Sequence, residues 1–566
     1  MDIAGAACWA LYAPVIGVLL LYFWAFLDHA WHVVSFPFQL DYGEMPELNR
    51  AWLLSQGRPI YVDWSRPPYQ MANYTPLYSA VAAVGVALAG PQFFTGRAIS
   101  LASSLLSGLA IGVAIDALAR GSAGGGRRAS LLGAIVGGLL YFTMHPVWNW
   151  GALQRVDAFA IMLELAGLAL FAAGWLRGHR PWALWATVPV FVAGAYARQT
   201  IVAGAFACYG YLLVRRPRLA CAVIAAYATL GLALFGVLQL ATGGQFARHI
   251  IVGNLNRWSW ETVDFYWQPF WGLLHWTFAA AGAGAILTML QRRAQVPLLY
   301  FIASAATALS IGKIGSNVNY LLQLCAALAL LTGLAVALLA GGGGARRIQN
   351  EGVSLLPAPS TVRRSSWLAA LRRSSFVPIA GSAVLAVWLL AGLQQVYHVP
   401  YAREPEGVRW REPVTVFRWL HWNRLPLWRL DPWGRPVAEA TGAFPQRYLP
   451  NPSRADWEFA RLAHAYLQQV PEDVLGEEMS FTVTTGKRIY LQPFEFTQLA
   501  EQGMWDQGPL LADIRRGAFH AVVLRFRLDR DPSWRRQRIN QPMIDALRAA
   551  YRLETLFGDY YIYVPR

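Results

Sequence analysis

Over its first 396 residues the chain alternates long apolar runs with short polar stretches that carry arginines, and then it changes character. A helix needs about 20 apolar residues to cross a ~30 Å hydrocarbon core. Runs near 10–33, 97–117, 129–145, 156–175, 181–196, 199–214, 217–240, 269–290, 295–311, 319–340 and 376–396 are read as eleven spans. Residues 76–90 (PLYSAVAAVGVALAG) are apolar but shorter, which suits an interfacial or buried helix as well as a span. No Arg/Lys-rich stretch precedes the first run and no evident cleavage site follows it, so it reads as an uncleaved span.

Charge then chooses the sides, because cytoplasmic loops carry an excess of Lys and Arg. If 76–90 does not cross, Arg120/Arg127/Arg128, Arg177/Arg180, Arg215/Arg216/Arg218, Arg292/Arg293 and Arg346 through Arg373 all fall inside. If it crosses, every one of them lands outside. The non-crossing arrangement is therefore expected, with the N-terminus inside and the tail outside. The Gly-, Pro- and Ser-rich segment 341–375 reads as an inner linker.

Composition agrees: 56% of the 566 residues are hydrophobic and 14% charged, against roughly 25% charged in soluble proteins. The formal charge of +16 would suit nucleic acid. The basic residues instead sit in short clusters between apolar runs, so no nucleic-acid partner is expected. Of the 48 basic residues 46 are arginine, which makes Lys313 and Lys487 stand out. Cys8, Cys208, Cys221 and Cys325 lie in apolar runs and support neither a disulfide framework nor a Cys-based zinc site.

Residues 1–396 are thus read as a transmembrane domain and 397–566 as a soluble outer α/β domain. Helical patterns near 454–469, 494–503 and 541–551 flank strand-like runs at 479–484, 520–526 and 559–564. Thr484-Thr485-Gly486-Lys487 is too short for a phosphate loop. The tail is expected to cover the mouth of a site or to help choose an acceptor.

Four polar clusters fall on the outer side. They are Asp41-Tyr42-Gly43-Glu44 with Glu47, Arg50, Gly57, Tyr61, Asp63 and Arg66; Gln154-Arg155-Val156-Asp157; Arg198-Gln199-Thr200; and Gly312 through Tyr320, with Lys313, Asn317 and Asn319. Charges at a membrane edge are expensive and commonly pair or face a cavity. Each cluster also has a plainer reading. Arg155 and Asp157 suit a helix-end pair, Arg198 and Lys313 suit snorkelling side chains, and Asp41 and Glu44 suit a solvated helix face. Their convergence on one side favours a site in which a carboxylate takes a proton from a hydroxyl. Arginine and lysine there would steady charge developing on phosphate.

The stretch Asp41-Tyr42-Gly43-Glu44, followed by Leu54, Gly57, Tyr61 and Tyr74-Thr75-Pro76-Leu77-Tyr78, resembles the first outer loop of GT-C glycosyltransferases. The likeness is to the bacterial branch related to protein O-mannosyltransferases and lipid A aminoarabinose transferases. Arg155-Val156-Asp157, Arg198-Gln199-Thr200 and Gly312…Asn319-Tyr320 follow in that branch's order. Thr75 departs from it, since relatives often have a second proline there.

The resemblance implies a GT-C-like fold in the bacterial cytoplasmic membrane and an inverting transfer on the periplasmic side. The sugar donor would be polyprenyl-phosphate-linked, and the acceptor would be a lipid, glycan or protein hydroxyl. Asp41 would be the base, with Glu44 and Asp157 assisting it or positioning the acceptor. Arg155, Arg198 and Lys313 would hold the donor phosphate, and Tyr74, Gln199, Asn317, Asn319 and Tyr320 would bind substrate. Some relatives use a divalent metal; no compelling ligand set is evident in this sequence, although Asp41, Glu44 and His145 could be tested for one.

In the loop 242–268, Trp258, Trp260, Tyr266 and Trp267 suit interfacial anchoring more than sugar stacking. Arg248, His249, Arg257 and Glu261 are candidate substrate contacts. A transporter or flippase of lipid-linked sugars is the main rival reading, although no internal repeat or mid-membrane polar site points to it. A ligase or polymerase using undecaprenyl-diphosphate glycans is the other, and it favours Arg and His over an early paired-acid loop.

Overall fold

The computed structural model describes residues 3–120, 126–291, 295–341, 376–397, 451–471, 473–479, 481–530 and 537–566. Arg292, Arg293, the Arg346–Arg373 clusters, most of the 341–375 linker and the start of the tail at 398–450 lie outside those residues. The helices are α1 (Ile3–Ser35), α2 (Glu44–Ser55), α3 (Leu77–Ala89), α4 (Phe93–Arg120), α5 (Arg127–Leu140), α6 (His145–Trp150) and α7 (Val156–Ala169). Next come α8 (Pro181–Ala197), α9 (Ala203–Arg215), α10 (Pro217–Ala241), α11 (Gln245–Ile250), α12 (Trp260–Leu290), α13 (Val296–Ala308), α14 (Leu322–Ala340) and α15 (Phe376–Tyr397).

Among the described residues six helices are long and apolar enough to cross a membrane, starting with Gly5–Ser35 and ending with Val318–Ala340. Leu77–Ala89, Pro181–Ala197, Val296–Gly312 and Ile379–Leu393 are shorter apolar helices. The chain is a multi-pass α-helical membrane protein. Its centre is α14, almost wholly buried. Backbones meet there through small residues, since a Cβ on Gly133 would fall 2.3 Å from the Gly333 carbonyl oxygen. At the other extreme, α10 buries only Ala220 and Val223. The 76–90 run forms α3, whose 13 residues give about 20 Å of helix. It packs on α2 and on the start of α4.

The two ends of α4 mark the two ends of the bundle. At one end Arg97 pairs with Glu44. At the other, Asp116 takes both Arg120 and Arg177, which gathers two of the expected inner arginine clusters.

The tail is a small α/β unit. Helices α16 (Arg454–Gln469), α17 (Pro493–Glu501), α18 (Gly508–Arg515) and α19 (Gln541–Ala550) accompany strands β1 (Val474–Gly476), β2 (Ala521–Leu524), β3 (Tyr551–Phe557) and β4 (Tyr560–Pro565). Strand order is β1-β2-β4-β3, with β1 parallel to β2 and the remaining pairs antiparallel. The expected helices at 454–469, 494–503 and 541–551, and the strands at 520–526 and 559–564, are all present within a few residues.

The expected strand at 479–484 is not. Met479 and Phe481 hold left-handed φ values of 55° and 69°, and Val483–Thr485 forms a 3-10 turn. The apolar alternation there serves docking instead. Met479 and Val483 pack with Met45, Leu48 and Phe93 of the membrane domain, while Phe481 joins the core beneath α16. A second seam forms where Tyr69 pairs with Leu491, with the Tyr69 N–H donating to the Tyr490 carbonyl at 2.7 Å. The tail and the first loop therefore share a core.

Candidate active site

The loop after α1 is fixed before it carries any chemistry. Arg97 is fully buried and donates to the Val33 and Phe38 carbonyls at 2.9 and 2.7 Å and to both Glu44 oxygens at 2.8 and 2.7 Å. Glu44 opens α2 and also accepts from the backbone N–H groups of Leu40, Asp41 and Gln154 at 2.8, 3.2 and 2.9 Å. Burial opposes its charge, but Arg97 and these donors hold its carboxyl below the usual range. One carboxylate thus ties the loop at 40–41 to the turn before α7.

Asp41 and Arg155 are the residues so positioned. Arg155 Nη1 lies 3.1 Å from Asp41 Oδ1, which also accepts the Gly43 N–H at 3.0 Å. Arg155 Nη2 donates to the Tyr74 hydroxyl at 3.4 Å. Burial raises the Asp41 carboxyl above the ordinary aspartate range, only partly offset by Arg155.

These groups line a cavity of about 270 Å³. Of the residues expected from sequence, Asp41, Tyr74, Arg155, Asn317, Asn319 and Tyr320 line it. Glu44, Asp157, Arg198, Gln199, Arg257, Glu261 and Lys313 are not among its lining residues, and several of them stand directly behind the wall. Asp157 is fully buried, paired with Arg198, and accepts from Trp150 Nε1 and Asn319 Nδ2 at 3.0 Å each. The Arg198 guanidinium lies over the Tyr320 ring, 4.5 Å from its centre. Gln199 Nε2 and Asn254 Nδ2 both donate to the Asn73 carbonyl at 2.9 Å, and Lys313 Nζ donates to Asn254 Oδ1 at 3.1 Å. Burial lowers the Lys313 ammonium to about 8. Arg257 and Glu261 are exposed, as are Trp258 and Trp260.

Asp41, Glu44 and His145 do not assemble as metal ligands. Among the described residues no three His, Cys, Asp or Glu side chains are so grouped. Glu44 is saturated by Arg97 and backbone donors, and His145 sits against the Phe270 ring.

Sequence reasoning missed the wall supplied by the tail: Phe494, Glu495, Gln537 and Arg538. The Tyr42 hydroxyl joins the two parts, donating to Glu495 Oε2 at 3.0 Å and accepting the Phe494 N–H at 3.0 Å. The Arg538 guanidinium lies 4.7 Å from the Tyr42 ring centre. Gly315, with φ +84°, brings the 312–320 loop against Phe494, whose ring stands 2.2 Å from where a Cβ would be. No local pattern near Glu495 signals this, because the contact joins positions 453 residues apart.

No family model matches the chain, and no curated protein does either. Two solved structures share its fold. They are ArnT from Cupriavidus metallidurans in the apo state, with a TM-score of 0.51 and 15% identity over 97% of this chain and 98% of that one, and the same protein bound to undecaprenyl phosphate, with a TM-score of 0.51 and 15% identity over 98% of each chain. The fold is therefore ArnT-like along nearly the whole chain, tail included.

Proposed function

We propose that the chain is a glycosyltransferase that moves a sugar from a polyprenyl-phosphate carrier to an acceptor hydroxyl, on the outer side of the bacterial cytoplasmic membrane. The observation that carries the reading is the Asp41–Arg155 pair in a polar cavity at the bundle end opposite Arg120 and Arg177. The solved neighbour that holds undecaprenyl phosphate supports the same donor class.

Asp41 accepts the proton from the acceptor hydroxyl as the acceptor oxygen forms its bond to the anomeric carbon. The bond from that carbon to the phosphate oxygen breaks, and the leaving group departs as polyprenyl phosphate. Attack opposite the leaving group inverts the anomeric centre. Arg155 keeps Asp41 aimed and offers its guanidinium to developing negative charge. Asp157 and Arg198 hold Asn319 and Tyr320 from behind, and Lys313, Asn254 and Gln199 do the same for the Asn73–Tyr74 wall. Glu44 is a positioning residue that shapes the loop bearing Asp41.

Purified protein offered a panel of undecaprenyl-phosphate sugars with lipid, glycan and peptide acceptors tests the reading. Acceptor-dependent release of undecaprenyl phosphate is expected for at least one donor. Facilitated movement of intact donor between leaflets, with no release, would establish the transporter reading instead.

A further inference from the structure

Glu495 is an unusual side chain to find in the wall of this cavity. Its residue is 9% exposed, and among the described residues it forms no ion pair. The other charged side chains that line the cavity are paired there: Asp41 with Arg155, Glu47 with Arg50, and Arg538 with Glu477 and Glu478. Glu495 receives one side-chain hydrogen bond, from Tyr42, on Oε2. A carboxylate offers about four acceptor positions on its two oxygens, and a buried one left with so few donors is costly. Burial accordingly raises its carboxyl above the usual glutamate range. Tyr42 and Phe494 adjoin it, Tyr74 and Trp150 line the same cavity, and the Arg50 and Arg155 guanidiniums favour its charge without pairing with it, so aromatic surface stands in the same space as a carboxylate short of donors.

Resting on the transferase reading, we infer that Glu495 binds the hydroxyls of a sugar in this cavity, making the tail domain a determinant of sugar specificity and not only a cover. Hydroxyl groups supply the O–H donors that Glu495 lacks, and a sugar's C–H face suits the adjoining rings. The sugar belongs either to the donor or to the acceptor, since both meet at Asp41. Tyr42 sets the carboxylate's direction, and its neighbour on the chain is Asp41, so sugar recognition and base placement share one short segment.

The test uses the full-length protein and Glu495→Gln, which keeps the side chain's size and an oxygen able to accept from Tyr42. Binding of bare undecaprenyl phosphate and of the undecaprenyl-phosphate sugar is measured directly, and transfer is followed against donor and acceptor concentration. Weaker binding of the sugar-bearing lipid by about tenfold or more, with bare undecaprenyl phosphate unaffected, places the donor sugar on Glu495; such discrimination is expected where a site is built to hydrogen-bond a hydroxyl. Unchanged donor binding with a similar rise in acceptor KM places the acceptor sugar there. Unchanged constants for both substrates overturn the inference while leaving the transferase reading intact, as does an equal loss for bare undecaprenyl phosphate, which marks a merely structural residue. Failure of the unsubstituted protein to bind any sugar-bearing lipid removes the transferase reading and this inference with it.

Discussion

The Arg155 guanidinium lies directly over Gly43: a Cβ there would fall 1.0 Å from Nη1 and 2.3 Å from Cζ. Gly43 has an ordinary φ of −79°, so its role is purely one of space. Arg155 reaches Asp41 only because residue 43 has no side chain. Gly43→Ala is expected to push the guanidinium off Asp41 and slow transfer by on the order of 10²-fold, as small misplacements in active sites do. Thermal unfolding of the variant should stay close to the parent's, and unimpaired turnover would show that the contact is dispensable.

Acid inactivation follows from the same pair. Asp41 works as a base only when ionised, and burial raises its carboxyl above the ordinary aspartate range. Activity should therefore fall as pH drops through a value higher than that of a free aspartate. Arg155 favours the charged form, so Arg155→Gln is expected to move the acid limb to still higher pH. Profiles of kcat/KM against pH read both shifts, and a limb that moves downward in the variant would contradict the assignment.

Glu44 and Arg97 predict a different phenotype. Both are fully buried, and they form a two-point ion pair with each other. Removing one partner leaves a stranded charge, which costs about 3–5 kcal/mol. Arg97→Met should lower the unfolding temperature and the yield of folded protein, whereas Asp41→Asn should leave both unchanged. Equal stability of the two variants would show that Glu44 is not the loop's fastener.

Sequence alone made much of the membrane architecture legible, because hydrophobic run length and arginine placement are local properties. The short α3 and the break at Arg198 between α8 and α9 were anticipated from such patterns, and of the expected outer constellation Asp41 and Arg155 line the cavity while Glu44, Arg198 and Lys313 do not. What stayed hidden was contact between distant segments. Glu44 and Asp41 lie three residues apart and share an acidic character, yet one faces Arg97 in the core and the other faces the cavity. The Met479–Val483 alternation has strand periodicity, but Met479 and Val483 dock on α2 and the start of α4 while Phe481 enters the core beneath α16. The tail wall at Phe494, Glu495 and Arg538 carries no local signature, since its chemistry arises only from Tyr42 and Gly315 across the interface.

Sidedness is checked without enzymology. A reporter inserted within the Gly-rich 121–126 stretch should be cytoplasmic, and one fused after Arg566 should be periplasmic. The opposite result would put the Asp41 cavity on the cytoplasmic face and remove the outer-side reaction.

The most direct trial of the account compares the parent protein with Asp41→Asn on one matched pair of samples, measuring undecaprenyl-phosphate affinity and single-turnover sugar transfer. The prediction is unchanged lipid binding with transfer slowed by about 10²–10⁴-fold, the range expected for loss of a general base. Transfer by Asp41→Asn at the parent's rate would contradict the assignment of Asp41 as the base and, with it, the mechanism.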